Sequence, residues 1–180
     1  MRKTLLLFTT MALALLLAAG TAWAALPAPT VTSTGPANGT TGVLTDANIT
    51  ATFSEAMSTK SLGICNHCTS TTSSKTFYLL RGNFTAASTT LPFKNPPRFC
   101  KDIATGAILA PCPAAIPATV SYNADTLTAT LNPSSTTGLL RNTTYTAVVE
   151  GTADGDFVAV KDTGGTQMAT DYIFHFTTAP

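Results

Sequence analysis

After its first two dozen residues, the chain alternates polar and apolar side chains in short runs, and this pattern most limits the folds open to it. Ile49, Ala51 and Phe53 fall on one face of an extended segment, with polar residues between them. Two alternating runs, Ala118–Tyr122 and Thr126–Leu131, flank a short polar turn and predict a β-hairpin. No later segment carries a convincing helical period, so the pattern predicts an all-β sandwich or barrel.

Several other segments have the same alternating or apolar character. Further strands are predicted at Val31–Thr34, Thr76–Arg81, Thr144–Val149, Phe157–Val160 and Tyr172–Phe176. In the last of these the aromatic residues are expected to point inward and His175 outward, into solvent. Threonine, a β-branched residue that favours strands, is the most frequent residue. Low charge with many small polar residues also occurs in disordered chains, but the regularly spaced aromatic and aliphatic residues argue against disorder for most of this chain.

The N-terminus has the three parts of a secretory signal peptide. Arg2 and Lys3 precede an apolar run from Leu5 to Ala19, and Ala22-Trp23-Ala24 supplies the small residues of a cleavage site. An uncleaved membrane anchor is the alternative, but the run is short for a span of roughly 20 residues. We therefore predict a signal peptide over residues 1–24 and an exported chain that is secreted, periplasmic or at the cell surface. No membrane insertion is expected after cleavage.

The charge of the remaining chain argues against a nucleic-acid partner. Without Arg2 and Lys3 it has 8 basic and 9 acidic side chains, a formal net charge of −1. Such a surface has no positive field to attract phosphates or anionic lipids. The length suits one domain over residues 25–180.

Five segments stand out in order along the chain: 33–43 (STGPANGTTGV), 49–57 (ITATFSEAM), 140–146 (LRNTTYT), 160–165 (VKDTGG) and 174–178 (FHFTT). Together they resemble the bacterial Ig-like domain of the type found in the S-layer protein SbsA. The resemblance implies an immunoglobulin-like antiparallel β-sandwich. It also places Tyr145 after a polar corner, where its ring is expected to be buried and its hydroxyl bonded to upstream backbone, as in a tyrosine corner.

Two stretches depart from the family pattern and read as loop insertions, at about 61–75 and 83–116. All the cysteines lie in them: Cys65, Cys68, Cys100 and Cys112. An even number in an exported chain favours two disulfides. Three pairings are open, and we favour bridges that join Cys65 or Cys68 to Cys100 or Cys112. A zinc site is the alternative, because the CxxC spacing suits tetrahedral zinc and His67 adds a further ligand.

The sequence does not predict a catalytic site or a cofactor. His67 and His175 are the only histidines, and no Gly-x-Ser-x-Gly motif is present. Glu55 and Glu150 are the only glutamates, which limits the carboxylate pairs that a glycosidase would need.

Weak calcium candidates are Asp154, Asp156 and Asp162. The spacing of an EF-hand is missing, and Asp-Gly pairs are common in plain turns.

The expected function is therefore that of a non-catalytic secreted or cell-surface module with a structural, adhesion or display role. Phe93, Arg98 and Phe99, beside Cys100, are the predicted ligand-contact loop, because aromatic and arginine side chains are enriched at interfaces. The expected partner is a cell-surface protein or a glycan. A calcium-dependent or carbohydrate-binding module is the alternative, although the only tryptophan, Trp23, lies in the signal peptide. A small secreted hydrolase is less favoured.

Overall fold

The computed structural model describes residues 27–63, 76–86, 100–109, 115–134, 138–152 and 159–180, and this part of the chain is all-β. Its strands are β1 (Val31–Gly35), β2 (Thr40–Val43), β3 (Ile49–Phe53), β4 (Phe77–Arg81), β5 (Phe84–Ala86), β6 (Cys100–Asp102), β7 (Ile108–Leu109), β8 (Ala118–Asn123), β9 (Thr128–Pro133), β10 (Thr144–Val149) and β11 (Tyr172–Thr178). The predicted signal peptide lies outside the described residues. Within them, no helix has the length and apolar character needed to cross a membrane.

Two four-stranded sheets form the sandwich. One has the order β1-β3-β9-β8 and the other the order β2-β11-β10-β4. These orders correspond to the two sheets of an immunoglobulin-like sandwich, so the predicted fold class is confirmed at this level. The prediction that all pairs are antiparallel is wrong for one of them: β2 runs parallel to β11. β1 ends at Gly35 because Pro36 has no N–H with which to continue the ladder, and the next strand, β2, belongs to the other sheet.

The core lies between the two sheets and is filled by alternate residues of their strands. In β3, Ile49, Ala51 and Phe53 are buried, as the period of two predicts. In β11, Phe174 and Phe176 are buried, and Tyr172 is partly buried against the same cluster. The predicted hairpin is also confirmed, with β8 paired to β9 from Ala118–Pro133 to Asn123–Thr128.

The second insertion forms a third layer, so the prediction that it is only a loop is wrong. Its strands β5, β6 and β7 make a small antiparallel sheet. Phe84 of this layer is buried in a cluster with Tyr78, Leu80 and Val148, which point to the outer face of the β4–β10 sheet. Apolar residues on both faces of β4 and β10 require cover on both sides, and the insertion supplies the outer cover.

Thr146 fastens the third layer to the sheet by hydrogen bonds. Its hydroxyl donates to the Gly82 carbonyl oxygen over 2.8 Å and accepts from the Phe84 backbone N–H over 2.9 Å. Gly82 has a φ of +124°, and a Cβ there would collide with the Phe84 ring. The turn from β4 into the third layer therefore requires glycine.

His175 was expected to be solvated on the outer face of β11, and this expectation is wrong. Its ring is partly buried, and Nε2 lies 2.8 Å from the Phe84 carbonyl oxygen. The third layer covers the sheet face on which the histidine lies.

The predicted strand Phe157–Val160 is not confirmed in its described part. Ala159 and Val160 are buried but belong to no strand, and only isolated bridges follow, at Lys161 and Asp162. Residues 153–158 lie outside the described residues. A buried apolar run bounded by turns does not by itself distinguish a strand from a packed loop.

Candidate functional site

A groove of about 280 Å³ lies at one end of the sandwich, where β4 ends and β10 begins. Its walls are mostly apolar and include Ala115, Ile116, Pro117, Leu140 and the Tyr145 side chain, with Arg81 beside them. This volume is near the lower limit of small-molecule pockets, and it also suits one or two side chains of a protein partner.

The pairing of β4 with β10 places Arg81 at the end of the core. Arg81 pairs with Tyr145 across β4 and β10, and paired residues of antiparallel strands point to the same face. Phe77 and Leu79, at the same alternation in β4, are buried in the core. Arg81 continues their inward row one step beyond the core, where its side chain is exposed.

The wall of the groove that contains Ala115 and Ile116 is attached to β4 by a backbone hydrogen bond. The Ile116 N–H donates to the Leu79 carbonyl oxygen over 2.8 Å, which attaches the segment before β8 to the free edge of β4. Ile116 packs partly against the main core, and Ala115 packs against the outer cluster.

Tyr145 forms the floor of the groove and the predicted tyrosine corner. It is buried, and its hydroxyl accepts a hydrogen bond of 2.7 Å from the Leu140 backbone N–H, five residues upstream. Its ring stacks on Phe176 with centroids 5.6 Å apart. The prediction for Tyr145 is confirmed, and the corner fixes the loop that carries Leu140.

Replacing Tyr145 with phenylalanine is expected to lower the free energy of unfolding by about 1 kcal/mol, because the Leu140 N–H loses its acceptor. Chemical denaturation monitored by fluorescence measures this loss. Tyr122→Phe, which removes the hydroxyl bonded to the Met57 N–H over 3.0 Å, is the matched comparison and should have an effect of similar size. A Tyr145→Phe variant as stable as the parent would contradict the role of the corner.

The chemistry of the groove combines one cation with apolar walls. Of the described residues that line the groove, Arg81 is the only charged one, and its guanidinium makes no hydrogen bond or ion pair with another described residue. Leu140 is 48% exposed beside it. An arginine with free donors next to apolar surface suits a partner that presents acceptor oxygens beside an apolar group.

Comparison with known protein families matches residues 27–178 to the profile of the bacterial Ig-like domain. The chain belongs to the bacterial Ig-like domain family. No curated protein matches the chain. The match spans both sheets and the third layer, so the insertion lies within the domain rather than between two domains.

Most of the predicted site residues of this Ig-like domain lie outside the described residues. These are Cys65, Cys68, Cys112, Phe93, Arg98, Phe99, Asp154 and Asp156. The backbone of Cys100 is described: it begins β6, opposite Ala86 of β5 and Leu109 of β7. The predicted contact loop thus belongs to the segment that joins two paired strand ends. The disulfides, the zinc alternative and the contact loop stay predictions.

Asp162, the described member of the calcium candidates, organises a turn in this Ig-like domain. Its Oδ1 accepts a hydrogen bond of 2.7 Å from the Thr166 N–H. Burial alone would raise the pKa of this carboxyl, but hydrogen bonds from Thr166, Gly165 and Gly164 outweigh it and lower the pKa. Among the described residues, no three His, Cys, Asp or Glu side chains lie together as a metal site. Calcium binding stays a prediction.

The lowered pKa of Asp162 predicts a pH-dependent contribution to stability. A carboxyl whose pKa is lowered by folding stabilises the folded state above its ordinary pKa, and this contribution is lost as the pH falls through the folded-state value. The free energy of unfolding, measured by denaturation between about pH 5 and pH 2, should therefore fall less steeply in Asp162→Asn than in the parent. Asp125→Asn, at an exposed turn, is the control. Equal slopes for the parent and Asp162→Asn would contradict this account.

The groove was not predicted from the sequence. Arg81, Ile116 and Leu140 are far apart in the chain and meet only because β4, the segment before β8 and the corner before β10 converge at one end of the sandwich. The only sequence signal was a positively charged residue, Arg81, at the end of the apolar strand β4. Such a residue is equally typical of a strand whose end is exposed to solvent.

Proposed function

We propose that this chain is a non-catalytic, exported Ig-like module of the SbsA type, with a structural, adhesion or display role at the cell surface. The observation that carries the proposal is the match to the bacterial Ig-like domain over residues 27–178. Domains of this kind are typically extracellular or surface-bound. The two-sheet sandwich with its covered outer face supports the proposal, because it gives a rigid base on which surface residues can be presented.

The groove around Arg81 is the proposed contact surface for a cell-surface protein or glycan. It supplies five guanidinium donors beside exposed leucine and proline surface, a combination that binds carboxylate, sulfate or hydroxyl oxygens next to an apolar group. Removing Arg81 removes both the charge and the donors but leaves the apolar walls in place.

The test measures binding of the purified full chain to intact bacterial cells and to a glycan array, each with and without calcium. Arg81→Ala should reduce binding at least tenfold, which corresponds to the loss of about 1.4 kcal/mol. Lys60→Ala is the matched control. Lys60 is exposed and comes before β4 in the chain, whereas Arg81 is the last residue of that strand. The control therefore removes one positive charge at a position away from the groove.

Three outcomes would count against the proposal. Turnover of a glycan, ester or peptide substrate that is lost in His175→Ala would make the chain an enzyme. Binding that Arg81→Ala and Lys60→Ala weaken equally would exclude the groove as the contact surface. Binding that depends on calcium would favour the calcium-dependent module instead.

A further inference from the structure

The sandwich has four edge strands, and three of them carry features that discourage pairing with another chain. Natural sheets protect their edges with bulges, short strands, charged residues or covering segments. β1 has a register shift between Val31 and Ser33, and β2 is short with a register shift of its own. β4 is covered where the Ile116 N–H bonds to the Leu79 carbonyl oxygen, and it ends in Arg81.

Among the described residues, the fourth edge strand, β8, shows none of these features. Its sequence, ATVSYN, contains no charged residue and no proline. It pairs with β9 over six consecutive residue pairs with no shift of register. A regular, uncharged edge of this length is a template for a further strand.

Alternation shows which backbone groups of β8 face away from β9. The Ser134 N–H donates to the Pro117 carbonyl oxygen, so Pro117 faces β9 and the residues at even numbers in β8 face the open side. These are Ala118, Val120 and Tyr122. Within the described part of the chain, no backbone hydrogen bond outside the β8–β9 ladder involves their N–H or C=O groups.

The side chains of the same three residues are only partly buried. They pack against the main core, and each remains partly exposed. A strand added to β8 would therefore satisfy backbone groups and cover apolar surface in the same step.

We propose that β8 pairs antiparallel with β8 of a second copy of this chain, about a two-fold axis at Val120. In this register Val120 lies opposite Val120 of the partner subunit, and Ala118 lies opposite Tyr122 of the partner subunit. Thr119 then faces Ser121 of the partner subunit on the outer face. About six backbone hydrogen bonds form, and the two sheets become one continuous sheet.

The second copy is favoured as the occupant because the strand is complementary to itself. A two-fold interface brings the same surface together twice, so like charges on it would repel. β8 has none, and every pair in the proposed register joins small, β-branched, aromatic or hydroxyl side chains. The inference goes beyond the proposed function, since it depends on the edge strand and not on the groove.

The pairing is expected to be weak in solution. One strand pair covers less than the 1,200 Å² or so that stable interfaces bury. Sedimentation velocity of the purified full chain should show a monomer at low micromolar concentration and a dimer that grows at roughly 0.1–1 mM, because an interface of this size is weak and transient. Display at high density on a surface would raise the local concentration into that range.

Charge substitutions on the exposed outer face of β8 test both the strand and its register. Thr119→Lys with Ser121→Lys places lysine opposite lysine across the axis and should abolish the dimer. Thr119→Lys with Ser121→Glu places opposite charges there and should restore it at low salt. Thr32→Lys with Ser33→Lys, at exposed positions of β1 on the far edge of the same sheet, should leave the dimer unchanged. Circular dichroism and the melting temperature check that each variant is folded.

Three results would overturn the proposal. They are a parent chain that stays monomeric at 1 mM or so, a dimer that survives the double lysine change in β8, and a failure of the lysine–glutamate variant to recover the dimer. This test and that of the proposed function can fail independently. A variant can lose binding to cells and keep the dimer, as expected for Arg81→Ala, or lose the dimer and keep binding to cells.

Discussion

Phe174→Ala is expected to lower the free energy of unfolding by about 3–5 kcal/mol, a large fraction of the stability of a single domain. Phe174 is fully buried near the middle of β11, opposite Ala147 of β10. Its ring centroid lies 6.1 Å from that of Tyr172. Truncation removes the ring from the centre of the core, and the strands on either side are too well paired to close the space.

Urea denaturation at equilibrium measures this loss. Leu44→Ala is the control, because Leu44 is 67% exposed and its truncation should change stability by no more than about 0.5 kcal/mol. If Phe174→Ala lowered the free energy of unfolding by less than about 1 kcal/mol, this would contradict the inward position of the aromatic side chains of β11.

Phe84→Ala is expected to have a loss of the same order, about 3–5 kcal/mol, although Phe84 lies outside both sheets of the sandwich. The side chain is 3% exposed and packs in the cluster with Tyr78, Leu80 and Val148. Its truncation uncovers the outer faces of β4 and β10 and weakens the contact that holds the third layer.

Further variants distinguish a third layer that is packed on β4 and β10 from an insertion that is not part of the cooperative fold. Ile103→Ala, at a 48% exposed position of the same layer, is the control and should be nearly neutral. A double-mutant cycle of Phe84→Ala with Val148→Ala should give a coupling of about 0.5–3 kcal/mol, as residues in contact do. Additive effects, or a separate unfolding transition for the insertion, would show that the layer is not part of the cooperative fold.

The sandwich strands could be predicted from the sequence because a strand buried on one face has an apolar residue at every second position. Ile49, Ala51 and Phe53 alternate with threonine, and the structure buries them as that alternation requires. Tyr145 could be predicted because the resemblance to the Ig-like domain places it after a polar corner, where its ring is buried and its hydroxyl bonds to upstream backbone.

The third layer could not be predicted, because its strands are two or three residues long and too short to show a period. Phe84 follows a turn and carries no sequence sign that it will cover another strand. The same layer explains the wrong expectation for His175, since alternation shows that a residue faces away from the core but not whether another layer lies there.

The pairing of strands and residues that are far apart in the chain also could not be predicted from the sequence. The parallel partnership of β2 with β11 depends on where the chain crosses between sheets. The groove depends on Arg81, Ile116 and Leu140, which no local pattern connects. Of the candidate site residues, Asp162 is found in a turn before the last strand, as the two glycines that follow it in the sequence, Gly164 and Gly165, predict.

A nuclear Overhauser spectrum of the isotope-labelled chain tests the account most directly, because it reports which side chains touch across strands and layers. The account predicts contacts from Ala147 to both Leu79 and Phe174, its partners in β4 and β11, and from the Phe84 ring to the methyl groups of Val148. A spectrum in which Ala147 contacts only one of the two neighbouring strands would contradict the strand order around β10, and one in which the Phe84 ring contacts no residue of β4 or β10 would contradict the third layer that covers this sheet.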